Sequence, residues 1–209
     1  MNNVMHNYLN NKIKPNYPFY KFLILDANKQ QKDIINILKD VIGECEVISI
    51  EDYNVIFYYY NVDMDFKSLI KTINDDFYAD AHLFESGKVA FLDGSEFYKI
   101  FDVYKKASLN KHTYSSNKYI LSYLMNDDKA KAKELAPILL NKMLKDESLL
   151  MLASTMFECD LNISLTAKNT YMHRNTVNYK LEQIEQETGL DIRHFKDAII
   201  MYEFLKICK

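Results

Sequence analysis

The sequence predicts an α+β protein in which a ferredoxin-like half precedes an all-helical half. Residues 19–85 alternate segments of strand and helix periodicity in the order βαββαβ, and the chain after about residue 95 has helical periodicity only. Its 209 residues include only 4 Gly and 3 Pro, which favours long regular elements over long loops. A chain of this length forms one large or two small domains with a buried core.

We expect four segments along the chain. Residues 1–18 are Asn-rich and basic, contain two prolines and predict a flexible arm. Residues 19–110 predict an α/β domain for sensing or dimerisation. Residues 111–145 predict a helical connector, and residues 146–209 predict a separate helical domain.

The α/β half contains four predicted strands and two predicted helices. The strands read FYKFLILDA, CEVISI, NVIFYYY and ADAHLFE; the helices read NKQQKDIINILKDVIG, which Gly43 is placed to end, and DFKSLIKTINDDF. This order predicts a sheet with both helices on one face. In the third strand Phe57 and Tyr59 alternate with Tyr58 and Tyr60. One aromatic set would suit stacking on bases or a ligand; we favour packing of both faces, one on the helices and one on a partner subunit.

The second half is expected to be helical throughout. Helices are predicted at 96–107, 116–126, 128–144 and 146–159. Pro137 lies inside the third of these, where it should break or kink the helix because it lacks a backbone N–H group.

Composition limits the partners of the chain. The net charge is −3 and the pI about 6.0, so binding to nucleic acid or to an anionic membrane would require a local basic patch. The cysteines, Cys45, Cys159 and Cys208, lack metal or redox-motif spacing, and we expect reduced thiols in a cytoplasmic protein. No segment has the apolar run of a signal peptide or a membrane span, so no membrane partner is expected.

Residues 162–189 predict a helix-turn-helix. Asn162 is a suitable N-cap for a short helix over roughly 163–170, and a second helix is expected to start near His173 and to stop at Gly189. The inward stripe of the second helix consists of Val177, Leu181 and Ile184. Two helices that are separated by three or four residues, the second with exposed polar groups, are typical of this DNA-binding motif.

The distribution of charge supports a polyanionic partner. Residues 162–181 contain three basic and no acidic side chains, whereas residues 182–191 contain four acidic and no basic ones. A solvated helix would normally mix the two signs along its surface. This segregation places positive charge at the start of the second helix, where a helix inserted into a groove meets phosphates.

The first turns of the second helix supply groups that read DNA. Arg174 is one of only two arginines; its guanidinium donates two parallel hydrogen bonds to guanine, a geometry that lysine does not reproduce. An Asn side chain can form two hydrogen bonds with adenine, and Thr, Tyr and Lys side chains can contact phosphates. The candidate DNA-binding residues are Lys168, His173, Arg174, Asn175, Thr176, Asn178, Tyr179 and Lys180. The alternative is that Arg174 forms a surface salt bridge and that the basic segment arises by chance.

The stretch TAKNTYMHRNTVNYKLEQIEQETGLDI, with ESLLMLASTMFE before it and AIIMYEFLKI after it, resembles the C-terminal domain of the PucR and CdaR families of bacterial transcriptional regulators. The resemblance is carried by the pattern His-Arg-Asn-Thr, a hydrophobic residue, two further positions, a basic residue and Leu. It covers about residues 136–207. Two residues depart from the family pattern: Thr170 stands where a core leucine is usual, and Lys180 replaces the usual arginine.

The resemblance implies a function and an upstream domain. Relatives are DNA-binding transcriptional regulators, and the start of the second helix is also similar to that of the factor for inversion stimulation, a DNA-bending dimer. Many relatives carry a degenerate GGDEF-like domain before the helix-turn-helix. The hairpin that would bear the cyclase signature reads Ile50-Glu51-Asp52-Tyr53-Asn54 here, and without glycines it cannot close around a triphosphate.

The sequence therefore predicts a regulator that binds double-stranded DNA as a homodimer, because one helix-turn-helix reads only a half-site. The alternative is an adaptor or scaffold that uses the motif for protein interaction, since residues 149–209 carry 7 basic and 8 acidic groups. An enzyme is not expected: the sequence has no Gly-rich phosphate loop, no Ser/His/Asp order and no Cys–His pair. No cofactor or metal is predicted, and a small-molecule effector is not identified.

Overall fold

The structure, a computed structural model, describes residues 3–208 except for the side chain of Asn141. The chain divides into two units, Met1–Ser116 and Asn117–Lys209. Residues 1, 2 and 209, which belong to the expected arm and to the expected C-terminal domain, lie outside the described part. The expected connector, residues 111–145, is divided between the two units.

The N-terminal unit contains the predicted βαββαβ order. Its elements are α1 (Val4–Asn11), β1 (Lys21–Ala27), α2 (Gln31–Ile42), β2 (Glu46–Ile50), β3 (Tyr53–Tyr58), α3 (Phe66–Phe77), β4 (Ala81–Glu85), α4 (Glu96–Lys106) and β5 (Tyr114–Ser116). The strand order is β2-β3-β1-β4-β5. Strand β1 pairs antiparallel with β3 and β4, while β5, which the sequence did not predict, adds a parallel edge to β4.

Helices cover both faces of the sheet. On one face α2 and α3 bury an aliphatic cluster that includes Leu23, Ile56 and Leu83. On the other face Phe97 of α4 packs against Phe22 and Phe57, with ring centroids 5.1 and 5.2 Å apart. The prediction that both faces of β3 are packed is confirmed. The prediction that a partner subunit covers the second face is wrong, because the aromatic stripe of α4 covers it within the same chain.

The structure differs from the expected flexible arm at Val4–Asn11, which form α1. Met5 and Tyr8 lie on one side of this helix and are buried, so the segment has apolar anchors that its Asn-rich composition conceals. The side chain of Glu46 accepts hydrogen bonds from the backbone N–H groups of Met5 and His6, at 2.8 and 2.9 Å. A carboxylate at this position also interacts favourably with the helix dipole.

A buried carboxyl group holds α1 to the rest of the N-terminal unit. Glu96 is 1 % exposed, and it accepts hydrogen bonds from the Tyr8 hydroxyl and from the backbone N–H groups of Leu92 and Gly94, both at 2.9 Å. Burial, together with the hydrogen bond and charge of Glu96, raises the pKa of Tyr8 above its ordinary value. Tyr8 therefore acts as a neutral hydrogen-bond donor.

The C-terminal unit consists of helices in the described residues. They are α5 (Asn117–Asp127), α6 (Lys129–Leu139), α7 (Asn141–Lys145), α8 (Glu147–Glu158), α9 (Ile163–Asn169), α10 (Arg174–Thr188) and α11 (Phe195–Cys208). The helix predicted over 128–144 is interrupted at Leu140, between α6 and α7. Pro137 lies inside α6, which continues past it to Leu139, so the break does not fall on the turn before the proline, where the missing N–H group acts. Fully buried side chains from three helices form the core of the motif: Leu152, Met156, Val177, Leu181, Ile184, Met201 and Phe204.

Removal of the Tyr8 hydroxyl should destabilise the N-terminal unit. We expect Tyr8→Phe to lower the free energy of unfolding by about 1–3 kcal/mol, because the buried carboxylate of Glu96 loses a hydrogen-bond donor. Urea denaturation followed by circular dichroism measures the change. Tyr78→Phe is the matched control: Tyr78 is 94 % exposed, and its substitution should change the stability by less than about 0.5 kcal/mol. Equal stabilities of the two variants would contradict the role assigned to Tyr8.

Candidate nucleic-acid interface

The first helix of the predicted motif is α9. The side chain of Asn162 caps it by accepting a hydrogen bond from the N–H of Leu165 at 3.0 Å. Thr166 and Ala167 face the core. Thr170, at the position of the usual leucine, lies just beyond the helix, and its hydroxyl donates to the carbonyl of Thr166 at 2.8 Å. The threonine therefore satisfies its own polar group locally and leaves the helix intact.

The turn between the helices has a defined hydrogen-bond pattern. Tyr171 has a φ of 55°, in the left-handed region that glycine usually occupies. The N–H of Met172 donates to the carbonyl of Ala167 at 3.0 Å, and that of Tyr171 donates to Lys168 at 3.3 Å. This is the Schellman arrangement, which closes a helix and reverses the chain within a few residues. It places the start of α10 directly after α9.

His173 is the N-cap of α10, as the sequence predicts. Its backbone is extended, and its Nδ1 accepts a hydrogen bond from the N–H of Asn175 at 3.2 Å. A ring that accepts at Nδ1 in its neutral form carries its proton on Nε2, which remains available as a donor. At the other end of the helix Gly189 adopts a φ of 77° and terminates it, also as predicted.

Burial of one stripe decides which side of α10 faces outward. Val177, Leu181 and Ile184 are fully buried, as predicted. The opposite side carries Asn175 and Tyr179, and the Tyr179 side chain is 68 % exposed. Most of the predicted DNA-binding residues are exposed, namely Lys168, His173, Arg174, Asn175, Thr176 and Tyr179. Asn178 is only partly exposed.

Lys180 has a different environment from the other candidates. It is partly exposed, and its ammonium donates a hydrogen bond to the hydroxyl of Ser148 in the first turn of α8. The lysine therefore ties α10, the second helix of the motif, to α8. An arginine would bring a planar fork to this position, whereas the single ammonium of lysine fits one hydroxyl.

The two arginines of the chain have opposite environments. Arg193 donates to Glu185 at 2.8 Å and to Asp191 at 2.6 Å. Arg174 is exposed and forms no ion pair with any residue that the structure describes, and the same is true of Lys168. The guanidinium of Arg174 is therefore exposed to solvent, and no carboxylate of the described residues offsets its charge.

Three of the four acidic residues after the basic segment, Glu185, Glu187 and Asp191, are paired within the unit. Burial opposes ionisation of Asp191, but hydrogen bonds and charge from Arg193 outweigh it and lower the pKa of Asp191 below its ordinary value. Glu187 pairs with Lys142 at 3.2 Å. These pairs offset acidic charge at the end of α10 and in the segment that follows it, whereas the first turn of α10 contains no acidic side chain.

Sequence reasoning missed one residue at this surface. The Tyr171 side chain is 97 % exposed in the turn, beside the start of α10. Its left-handed backbone is not what the residue type favours, so the sequence carries no local signal for this placement. A large amphipathic side chain held in solvent next to the basic segment adds a group suited to phosphate or sugar contact.

These features define a helix-turn-helix domain, and comparison with known proteins assigns its family. Residues 149–206 match the family model described as the PucR C-terminal helix-turn-helix domain. The resemblance inferred from the sequence is thus confirmed, and the chain carries a PucR-type helix-turn-helix domain.

Curated relatives match over the same domain. The purine catabolism regulatory protein of Bacillus subtilis (strain 168) is 44 % identical over 55 residues, which are 26 % of this chain and 10 % of the relative. The carbohydrate diacid regulator of Escherichia coli (strain K12) is 40 % identical over 42 residues, 20 % of this chain and 11 % of the relative. The protein YsfB of Bacillus subtilis (strain 168) is 36 % identical over 63 residues, 30 % of this chain and 17 % of the relative. The aligned segment thus covers less than one fifth of each of these relatives.

One solved structure is similar over most of the chain. The regulator of polyketide synthase expression from Bifidobacterium adolescentis covers 95 % of this chain, and this chain covers 83 % of it, at 15 % identity and a TM-score of 0.43. At this TM-score the likeness establishes neither a shared fold nor a shared function.

No group of three or more His, Cys, Asp or Glu side chains in residues 3–208 is arranged to hold a metal ion. Within the same range no helix combines the length and the apolar character that crossing a membrane requires.

The cap of α10 can be tested by substitution of His173. We expect His173→Ala to lower the free energy of unfolding by about 0.5–2 kcal/mol, because the N–H of Asn175 loses its acceptor. His173→Asn supplies another good cap and should retain most of the stability. Thermal and urea unfolding of the two variants provide the measurement. An alanine variant as stable as the asparagine variant would argue against a capping role.

Proposed function

We propose that the protein is a cytoplasmic DNA-binding transcriptional regulator of the PucR/CdaR type, which reads double-stranded DNA as a dimer through α10. The observation that carries the proposal is the first turn of α10: it is exposed, free of acidic side chains and tipped by Arg174, which has no ion-pair partner in the described part of the chain. Segregated positive charge of this kind favours binding to the phosphate backbone.

The proposed contacts divide into reading and positioning groups. Arg174 is assigned to guanine and Asn175 to adenine, because both side chains form bidentate bonds with base edges in the major groove. Phosphate contacts are assigned to Lys168, Thr176 and Tyr179, with His173 donating from Nε2. Asn178 flanks this surface. Lys180 contributes charge, and its hydrogen bond to Ser148 makes it first of all a residue that positions α10.

Two further considerations support a regulator. Two of the matched relatives are named as a regulator and as a regulatory protein, and the match covers the domain that contains α10. One such motif reads a half-site of a few base pairs, so useful affinity requires two copies on half-sites about 34 Å apart or a multiple of that distance. A homodimer is therefore part of the proposal.

We assign the N-terminal unit to sensing or dimerisation and not to catalysis. Its sheet has the core order of a GGDEF-like domain. At the β2–β3 hairpin, where a cyclase carries its signature, Glu51 is paired with Lys105 of α4 at 2.8 Å. Because that carboxylate is engaged by a cation of its own chain, we propose that the unit is a degenerate GGDEF-like domain. Clear turnover of nucleoside triphosphates by the purified protein would contradict this assignment.

An adaptor that uses the motif to bind protein is the second candidate. It is favoured by the near balance of 7 basic and 8 acidic groups over residues 149–209. Ionic strength separates the two: affinity for DNA should fall steeply between about 50 and 200 mM salt as counterions are released, whereas an apolar protein interface should be nearly insensitive.

The test of the reading helix uses the two arginines as a matched pair. We expect Arg174→Ala to weaken binding to a specific duplex by about 1–3 kcal/mol and to relax the base preference, because a bidentate contact is lost. Arg193→Ala is the control: it breaks the pairs with Glu185 and Asp191, and should lower the melting temperature while DNA affinity is retained.

Titration against genomic fragments, including the promoter of the protein's own gene, supplies the measurement. Wild-type affinity and base preference in Arg174→Ala would remove Arg174 from the reading role. Failure of the wild-type protein to bind any fragment at low salt would favour the adaptor.

A further inference from the structure

Helix α11 has a second apolar face that the rest of its unit does not cover. Its inner side buries Ala198, Met201, Phe204 and Leu205. Its outer side exposes Phe195, Ile199 and Tyr202 by 71, 45 and 44 %, with spacings of four and three residues that align them on one face of the helix. Contiguous exposed aromatic and aliphatic side chains mark interaction surfaces, so this outer stripe indicates a partner.

The stripe continues onto the end of α8. The ring of Phe157 packs edge-on against that of Tyr202, with centroids 5.5 Å apart. Between the two helices lies an open groove of about 780 Å³, which Ile199 and Phe195 also line. We call this surface, formed by Phe157, Phe195, Ile199 and Tyr202, the α8–α11 face. Rigid aromatic side chains are enriched among the residues that dominate the energy of protein interfaces.

Both signs of charge flank the α8–α11 face. Glu158 and Asp160 line the groove from the end of α8, and Lys206 lines it from the last turn of α11. The Lys206 ammonium lies 4.6 Å from the Tyr202 ring centroid, beside the apolar stripe. With both signs at its rim, the surface can be self-complementary, because a two-fold rotation can bring the acids of one copy opposite the lysine of another. A partner with charges of one sign would meet a like charge there.

We propose that the α8–α11 face is the surface through which two copies of this chain associate, with α11 of one copy packing against the α8–α11 face of the other. The inference that the partner is a second copy of this chain rests in part on the proposed function, which requires two helix-turn-helix domains, one for each half-site. The face belongs to helices other than α9 and α10. It contains none of the side chains that we assign to DNA, and a dimer formed through it has to leave those side chains exposed.

The experiment measures the mass of the full chain over a range of concentrations by analytical ultracentrifugation. Tyr202→Glu places a charge in the centre of the face, and Tyr98→Glu is the matched control, because Tyr98 lies on α4 of the N-terminal unit and is 45 % exposed against 44 % for Tyr202. Each tyrosine also contacts one phenylalanine ring of its own unit. We expect Tyr202→Glu to weaken self-association about tenfold or more, and Tyr98→Glu to leave it unchanged.

A second variant keeps the test decisive if Tyr202→Glu disturbs folding. Phe195→Glu alters the most exposed residue of the face, and its circular dichroism and melting temperature should match those of the wild type while self-association weakens by a similar factor. A wild-type chain that is monomeric at all concentrations would overturn the proposal. The proposal would also be overturned if Tyr98→Glu dissociated the dimer while both α11 variants stayed dimeric. Self-association would then be a property of the N-terminal unit.

DNA binding separates this inference from the proposed function. The α11 variants should bind a duplex with one half-site as the wild type does and should lose the additional affinity for two correctly spaced half-sites. A dimeric wild type that the α11 variants dissociate, but that binds no DNA, would refute the proposed function and leave the dimer surface established. If both α11 variants retained the full wild-type affinity for two half-sites, the dimer surface would be refuted and the proposed function would stand.

Discussion

The orientation of α10 depends on the burial of Val177, Leu181 and Ile184, which are fully enclosed by neighbouring helices of the C-terminal unit. Burying an aliphatic side chain contributes about 1.5–3 kcal/mol, so this stripe fixes the rotation of the helix about its axis more firmly than any surface contact does. Asn175 and Tyr179 face outward because these three residues face inward. The cap at His173 and the left-handed turn at Tyr171 then determine where the helix starts. The surface that we assign to DNA is thus a consequence of core packing.

Charge at this surface is set by the partners that each ionisable group finds. Arg174 and Arg193 are chemically identical, yet Arg193 stabilises the segment that follows α10 through Glu185 and Asp191, and Arg174 is left to solvent. Lys180 belongs to the same basic stretch as Arg174, but its ammonium is bonded to Ser148. A count of basic residues therefore overstates the charge that is available to a ligand. What matters is which cations remain uncompensated after folding.

The N-terminal unit has its own complete core. Its sheet is enclosed between α2 and α3 on one face and α4 on the other, and α1 is held by Glu46 and by the buried carboxyl of Glu96. Because the aromatic residues of β3 are enclosed within the unit, they are not available as a stacking platform. In the C-terminal unit, by contrast, the outer stripe of α11 exposes Phe195, Ile199 and Tyr202.

The sequence by itself determined the elements whose signals are local. Spacings of one to four residues predict the βαββαβ order and the inward stripe of α10. They also predict the start of α10 at His173 and the helix ends at Gly43 and Gly189. Only the tertiary structure decided the contacts between residues far apart in sequence. Tyr8 meets Glu96 across 88 residues, and Lys180 meets Ser148 across 32. No local period encodes such pairings, nor the cover that α4 gives the sheet, nor the exposure of the outer side of α11. Each depends on which surfaces remain unfilled once the helices and strands have packed.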